Sequence, residues 1–374
     1  MTLAEFDVSS LQDRFAEWGF PRVHAKRVLR RFYDSGGETI DGVQIAAALR
    51  QRLLAGGLRG TKLLTRRQAS DGTVKLLVGV GEPAPSESAY RLLPAAYSSS
   101  VECVLMPSHL PDRAAGCVSS QVGCAMGCDF CASTKAGVER SLTSGEIVEQ
   151  FLWLRAQAMK LGRRVQTIVF MGMGEPLMNY DSVVAAVRRI AGEDLGAIGW
   201  RHVTISTVGI APGIDRLTAE GLGVQLAVSL HAPDDDTRAA IIPTGKRYRV
   251  ADILAAVQRY QAASGRIATI EYTLLAGVND SDAQAELLAQ RLAACTPAAT
   301  SHRDTRMHVN LIPYNAIGAG VSGREYRRPS PERMNRFLEI LRDRNIVAHF
   351  RRTRGQDIEG ACGQLRERAL SAGA

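Results

Sequence analysis

Cys117-Val-Ser-Ser-Gln-Val-Gly-Cys124-Ala-Met-Gly-Cys128-Asp-Phe-Cys131 runs straight out of a short strand pattern at 114–119. A strand that ends in a loop crowded with thiols places chemistry at a strand's carboxyl end, where open and closed parallel α/β folds keep their sites. Downstream the pattern repeats. Strand patterns at 167–171, 202–207, 224–230, 267–274 and 306–312 alternate with helical patterns at 143–161, 181–191, 213–220, 250–264 and 281–294. In the first helix Ile147, Phe151, Leu154, Ala158 and Leu161 recur at the helical period, and Thr143 with Glu146 makes a capping box. Alternation of this kind requires crossover connections, so the class is α/β with a parallel sheet rolled toward a barrel. Six repeats fall short of the eight of the common closed barrel.

Upstream the text is different. Helical patterns at 10–18, 22–33 and 43–54 are separated by Gly19-Phe20-Pro21 and Gly36-Gly37, which break helices. Alternating stretches at 61–68 and 73–80 flank Asp71-Gly72, a hairpin signal. The stretch 82–100, rich in Pro, Ser and Ala, reads as a loop, and strand-like sequence resumes at 101–105. Four units follow: 1–60 helical, 61–109 a β-hairpin linker, 110–351 the core, and 352–374 a tail.

Composition narrows the function classes. Among 374 residues, 45% are hydrophobic and 22% charged, as in globular and not disordered chains. No apolar run approaches the ~20 residues that cross a bilayer, and the opening MTLAEFDVSS lacks the order of a secretion signal. A cytoplasmic protein with no membrane partner is expected. The formal charge is +8, with basic clusters at Lys26, Arg27, Arg30 and Arg31 and at Arg324, Arg327, Arg328, Arg351, Arg352 and Arg354. Such clusters suit nucleic acid, or a solvated helix face. Five of the seven cysteines lie between 103 and 131, which reads as metal or redox chemistry, not a disulfide framework.

The other strand ends also carry unusual residues: Gly172-Met-Gly174-Glu175-Pro176, Ser206, Ser229-Leu230-His231 and Asn310-Leu-Ile-Pro-Tyr-Asn315. Three thiols spaced C-x3-C-x2-C can converge on one centre. Zinc would want a fourth ligand, whereas an iron–sulfur cube held by three thiolates leaves one iron open to a small molecule.

These motifs carry a resemblance. Cys124-x3-Cys128-x2-Cys131 followed by Gly-Glu-Pro resembles the radical S-adenosylmethionine (SAM) superfamily, whose fold here would be a partial (βα)6 radical SAM barrel with a small N-terminal helical domain. Cys117–Cys124, Met171–Asn179, Ser229-Leu-His-Ala-Pro233, Asn310–Asn315 and Gly360-Ala-Cys362-Gly-Gln-Leu365, in that order, are similar to the dual-specificity ribosomal RNA and transfer RNA adenine methyltransferases. The resemblance implies a [4Fe–4S] cluster on Cys124, Cys128 and Cys131, and SAM held by Gly174, Glu175, Ser206, Ser229, Leu230, His231 and Asn315. It implies methylation of adenine carbon 2 in 23S rRNA and tRNA, with Cys362 carrying the methyl group. A radical drawn from that group adds to the ring, Glu102 takes the ring proton, and Cys117 releases the product as a transient disulfide forms. A flavodoxin-type electron donor is implied as a partner, and phosphate contacts are expected from Lys26, Arg27, Arg30 and Arg31. Cys103 and Cys295 are expected in the core. Three alternatives stand beside this: the carbon-8 methyltransferases that confer antibiotic resistance, an RNA-binding fold without catalysis, and a zinc-bound structural module.

Overall fold

The computed structural model describes residues 2–81, 99–295 and 307–365. Three helices open it: α1 (Val8–Glu17), α2 (His24–Asp34) and α3 (Ala47–Leu54). Asp7 caps α1 by accepting the Ser10 N–H while the Ser10 hydroxyl returns to the Asp7 N–H. On α2 the apolar residues Val28, Leu29 and Phe32 are fully buried, each worth about 1.5–3 kcal/mol.

One ten-stranded sheet runs through the rest. Its antiparallel part is β1 (Lys62–Gln68), β2 (Val74–Val80), β3 (Ser99–Pro107) and β4 (Arg113–Cys117). From β4 onward the neighbours are parallel: β7 (Arg164–Phe170), β8 (Val203–Thr207), β9 (Gln225–Ser229), β10 (Thr269–Leu274), β11 (His308–Pro313) and β12 (Ala348–Phe350). Six of these parallel strands, β4 and β7 to β11, are the expected repeats, and the fold is the α/β partial barrel anticipated from them. Between strands lie α4 (Ser144–Lys160), α5 (Tyr180–Ala191), α6 (Ala211–Glu220), α7 (Asp235–Ile241), α8 (Val250–Ser264) and α9 (Asp282–Ala294), and α10 (Pro331–Asp343) leads into β12. The predicted capping box of α4 is present, Thr143 and Glu146 exchanging bonds.

The structure differs from the sequence reading in several places. Ser99 and Ser100, read as loop, belong to β3, because they pair with Val80 and Gly79 of β2. The rest of that loop, 82–98, lies outside the described residues. A small antiparallel pair, β5 (Gln121–Gly123) and β6 (Val138–Ser141), brackets the cysteine loop and was too short to show a period. Helices α7 and α10 and strand β12 were also unforeseen. β12 is three residues long and is held by parallel pairing to β11.

Two buried amides set the start of the cysteine loop. Gln150 of α4 accepts the Ser119 N–H (2.8 Å) and donates to the Ser119 carbonyl (3.0 Å), standing in for a strand partner where β4 has ended. Asn179 donates to the Ser120 and Leu142 carbonyls, both at 2.8 Å. Each closes buried backbone groups that would cost about 1–3 kcal/mol if left open.

Candidate active site

The carboxyl ends of the parallel strands surround a cavity of about 980 Å³, counted with its open mouth. Cys124, Cys128 and Cys131 line it, as do Gly174, Glu175, Ser206, Ser229, His231, Asn315 and Cys362. The structure therefore gathers ten of the thirteen sequence-predicted site residues on one wall-to-wall surface. Leu230 is fully buried and contributes backbone, its N–H donated to the Glu271 carbonyl (3.2 Å). Cys117 and Glu102 lie on β4 and β3 and are not among the residues that line the cavity.

Sheet register relates those two. Val104 of β3 stands opposite Cys117 on one side and opposite Lys75 of β2 on the other. Glu102, two residues along β3, shares their face, because strand side chains alternate with period two. Cys103 points to the opposite face and is fully buried in the core, as expected.

The cysteine loop is braced from below. The Cys131 N–H is donated to the Cys128 carbonyl (3.0 Å), and the Thr134 hydroxyl to the Cys128 and Cys131 carbonyls (3.2 and 3.1 Å). Asp129, between the thiols, accepts from the Ser322 N–H (2.8 Å), the Ser322 hydroxyl (2.5 Å) and the Tyr326 hydroxyl (2.8 Å). Among the described residues no group of three or more His, Cys, Asp or Glu side chains is gathered so as to hold a single metal ion. Three soft thiol donors spread around a cavity fit a thiolate-held cluster better than zinc's closed tetrahedron.

Beside the thiols, Glu175 is buried; its carboxylate accepts the Val208 N–H (2.7 Å) and the Leu177 N–H (3.0 Å). Burial outweighs those bonds and lifts its pKa to about 7. Gly174 precedes it at φ +98°, where a Cβ would stand 2.6 Å from the Gln121 Cβ, so only glycine fits. Burial, with the nearby Arg238 charge, pushes His231 down to about 3, leaving a neutral imidazole. Its Nδ1 accepts the Thr273 N–H (2.9 Å), so the ring proton is on Nε2.

The tail enters the same cavity. The Cys362 carbonyl accepts from Asn315 Nδ2 (3.2 Å), and the Asn315 Oδ1 accepts from Arg328 (3.1 Å). Ala132 N–H is donated to the Gly363 carbonyl (2.7 Å), and the Ser133 hydroxyl to the Leu365 carbonyl (2.6 Å). Cys362 is thus seated against the cysteine loop with its thiol accessible. Cys117 is buried; burial and the neighbouring Cys362 push its thiol up to about 12, and Arg351 opposes them.

Sequence reasoning missed Glu271 and misplaced Arg351. Glu271 sits mid-strand on β10, accepts from Asn310 Nδ2 (2.7 Å), and lines the cavity. A charged residue between Ile270 and Tyr272 in a buried strand was the signal available. Arg351, grouped with the surface arginines, lines the cavity instead, its guanidinium 3.5 Å from Glu271 Oε2 and 3.2 Å from Met171 Sδ. In the N-terminal cluster, Lys26 and Arg30 are paired with Asp194 (2.5 and 3.4 Å), and the Arg31 Nε donates to the Asp41 carbonyl (2.9 Å).

Comparison with known proteins points one way. Residues 118–288 match the Radical SAM superfamily. The chain is 52% identical to the Opitutus terrae protein named "Probable dual-specificity RNA methyltransferase RlmN 1" over 98% of this chain and 96% of that one. It is 41% identical to a Symbiobacterium thermophilum protein named "Probable dual-specificity RNA methyltransferase RlmN", over 98% and 91%. A radical SAM methyltransferase from Sphaerobacter thermophilus superposes with a TM-score of 0.85 at 40% identity, covering 98% of this chain and 99% of that structure.

Proposed function

The chain belongs to the RlmN family of dual-specificity RNA methyltransferases within the radical SAM superfamily, and on that footing we propose that it methylates adenine carbon 2 in 23S rRNA and in tRNA through an S-methylated Cys362 and a transient disulfide. It is a SAM-dependent RNA methyltransferase that uses a [4Fe–4S] cluster, as its superfamily does. When bound, cluster and SAM supply the methyl group and the carbon radical that an electron-poor ring carbon needs.

The observation that supports the mechanism is a juxtaposition. Three clustered thiols and one remote thiol, Cys362, line a single cavity, and Cys117 lies close enough to feel the Cys362 charge. In this reading Cys124, Cys128 and Cys131 hold the cluster. Gly174, Glu175, Ser206, Ser229, Leu230, His231 and Asn315 hold SAM. The Glu175 carboxyl faces the amino end: an ammonium beside it favours the charged form that burial disfavours. His231 offers a neutral ring. Asn315 has a second duty, since its amide nitrogen fixes the Cys362 backbone.

Cys362 carries the methyl carbon and becomes bonded through it to RNA. Glu102 accepts the ring proton. Attack of the Cys117 sulfur on the Cys362 sulfur breaks the bond to carbon, whose electron pair leaves with that carbon and takes up a proton to complete the methyl group; the RNA is freed and a Cys117–Cys362 disulfide remains, which a thiol reductant must reset. The Arg351 charge favours the thiolate form of both sulfurs, against the burial that raises them.

The same reading places the enzyme in the cytoplasm with a flavodoxin-type electron donor; among the described residues no helix is long and apolar enough to cross a membrane. RNA must be gripped by its backbone and the target base extruded. Neutralising Lys26, Arg27, Arg30 and Arg31 together should weaken RNA binding and flatten its salt dependence. The deciding experiment is anaerobic reconstitution with iron and sulfide, then reduction with SAM and an adenosine-containing RNA, read by mass spectrometry. 5′-Deoxyadenosine with 2-methyladenosine is expected; 8-methyladenosine would move the target, and neither product would end the enzymatic reading.

A further inference from the structure

Lys75 is a lysine where a strand should not bury one. It lies on β2 in a run of buried residues, and its side chain is 9% exposed. A buried ammonium persists only with partners. Two are in place: the Glu102 carboxylate, 2.8 Å from Nζ and itself 8% exposed, and the Glu359 carbonyl, 3.2 Å away. Glu102 comes from the central antiparallel strand and Glu359 from the tail, three residues before Cys362.

The tail at that point is shaped to be held. Glu359 has φ +52°, a left-handed conformation unusual for a side chain of its kind, with Gly355 (φ +62°) before it and Gly360 after it. Two further bonds tie the same segment to the β1–β2 turn: Gly355 N–H to Asp71 Oδ2 (3.0 Å) and Ser70 N–H to Asp357 Oδ2 (2.9 Å). The first of these is part-buried and the second exposed, whereas the Lys75–Glu102 pair is buried. The row Lys75–Val104–Cys117 across β2, β3 and β4 sets the ammonium on the face that carries Glu102 and Cys117.

We infer that Lys75 is a positioning residue for the methyl transfer: its buried ion pair fixes the Glu102 side chain and joins it to the strap that carries Cys362. The inference rests on the reading of Glu102 as the group that takes the ring proton. When Glu102 takes that proton the ion pair becomes a neutral carboxyl beside an ammonium, and the Glu359 carbonyl remains as the partner that keeps Lys75 in place. Lys75 from β2 is paired with Glu102 at 2.8 Å, and Cys117 from β4 lies on the same face of the sheet.

Lys75→Gln removes the charge and keeps a donor for Glu359; Lys75→Arg keeps the charge; Glu102→Gln tests the underlying reading. On reconstituted full-length enzyme with RNA, Lys75→Gln is expected to lower kcat tenfold or more with KM for RNA changed less than twofold. It should also raise the fraction of RNA covalently held on Cys362, seen on a denaturing gel. Lys75→Arg should restore kcat to within about threefold and remove the held RNA. A fall in kcat for Lys75→Gln with no held RNA would make Lys75 a structural residue and overturn the inference alone. Full turnover by Glu102→Gln would overturn the proton-acceptor reading and the inference with it.

Discussion

The cysteine loop and the C-terminal tail bring thiols to one cavity by opposite means. The loop is closed largely by its own neighbours, Cys131 on Cys128 and Thr134 on both. The tail closes one turn around Cys362, the Gln364 N–H on the Ala361 carbonyl (3.0 Å), and is otherwise held from a distance. Its position comes from Ser70, Asp71 and Lys75 on the β1–β2 hairpin, Asn315 and Ala316 after β11, and Ala132 and Ser133 after the cluster thiols. In the proposed mechanism the cysteine loop, which would hold the cluster continuously, is built from short-range turns, and the thiol that would be methylated, joined to RNA and released is carried on a segment held at several separate points.

The largest test of that contrast is to remove one thiol from each region. Cys128→Ser should lose both the visible absorption of the cluster and all product, whereas Cys362→Ser should keep the absorption and lose the methylated RNA. Loss of absorption in both would make the tail part of the metal site. Next, Asp129→Ala opens three bonds that brace the loop against Ser322 and Tyr326, at about 1–3 kcal/mol. The urea midpoint should fall accordingly; an unmoved midpoint would mean the loop needs no bracing from outside.

Smaller and dependent on pH is the Glu175 effect. Burial holds its pKa up at about 7 from 4.5. A cationic ligand that needs the carboxylate must then displace a proton below that value. SAM affinity of the reconstituted enzyme should weaken about tenfold per pH unit below 7, level off above it, and lose this slope in Glu175→Gln. Calorimetry from pH 6 to 8 reads it, and a flat profile would separate Glu175 from the ammonium. Smallest is Asp71→Ala, which releases Thr73 and Gly355. A part-buried latch of this kind is worth about 0.5–1.5 kcal/mol. Amide exchange across 355–364 should quicken a few-fold with the global melting temperature unchanged; uniform protection would show that the buried bonds of the tail suffice.

What could be read from the sequence follows the same division. The cysteine loop was legible because its thiols are a few residues apart, and the parallel strands because apolar runs alternate with amphipathic helices over long stretches. The capping box of α4 was readable for the same local reason. β12 was not, since three residues carry no period and exist as a strand only through pairing with β11. Arg351 read as surface because its charge is all that a sequence displays, and the Glu271 carboxylate that admits it to the cavity lies 80 positions earlier. Lys75 hid inside a good strand pattern, where its partners on β3 and in the tail could not be seen. Cys362 was found through a motif resemblance; nothing in its own neighbourhood states where it will rest.

The order of synthesis gives the strapped tail a further meaning. Domains fold as the chain emerges, amino-terminal parts first, so the sheet and the three thiols of the cysteine loop are available before Cys362 leaves the ribosome. In the proposed mechanism a product truncated at β12 would keep the residues that hold the cluster and lack the thiol that takes the methyl group. Placing that thiol so late makes full translation a condition of reactivity, and a prematurely ended copy has no sulfur on which RNA could become trapped.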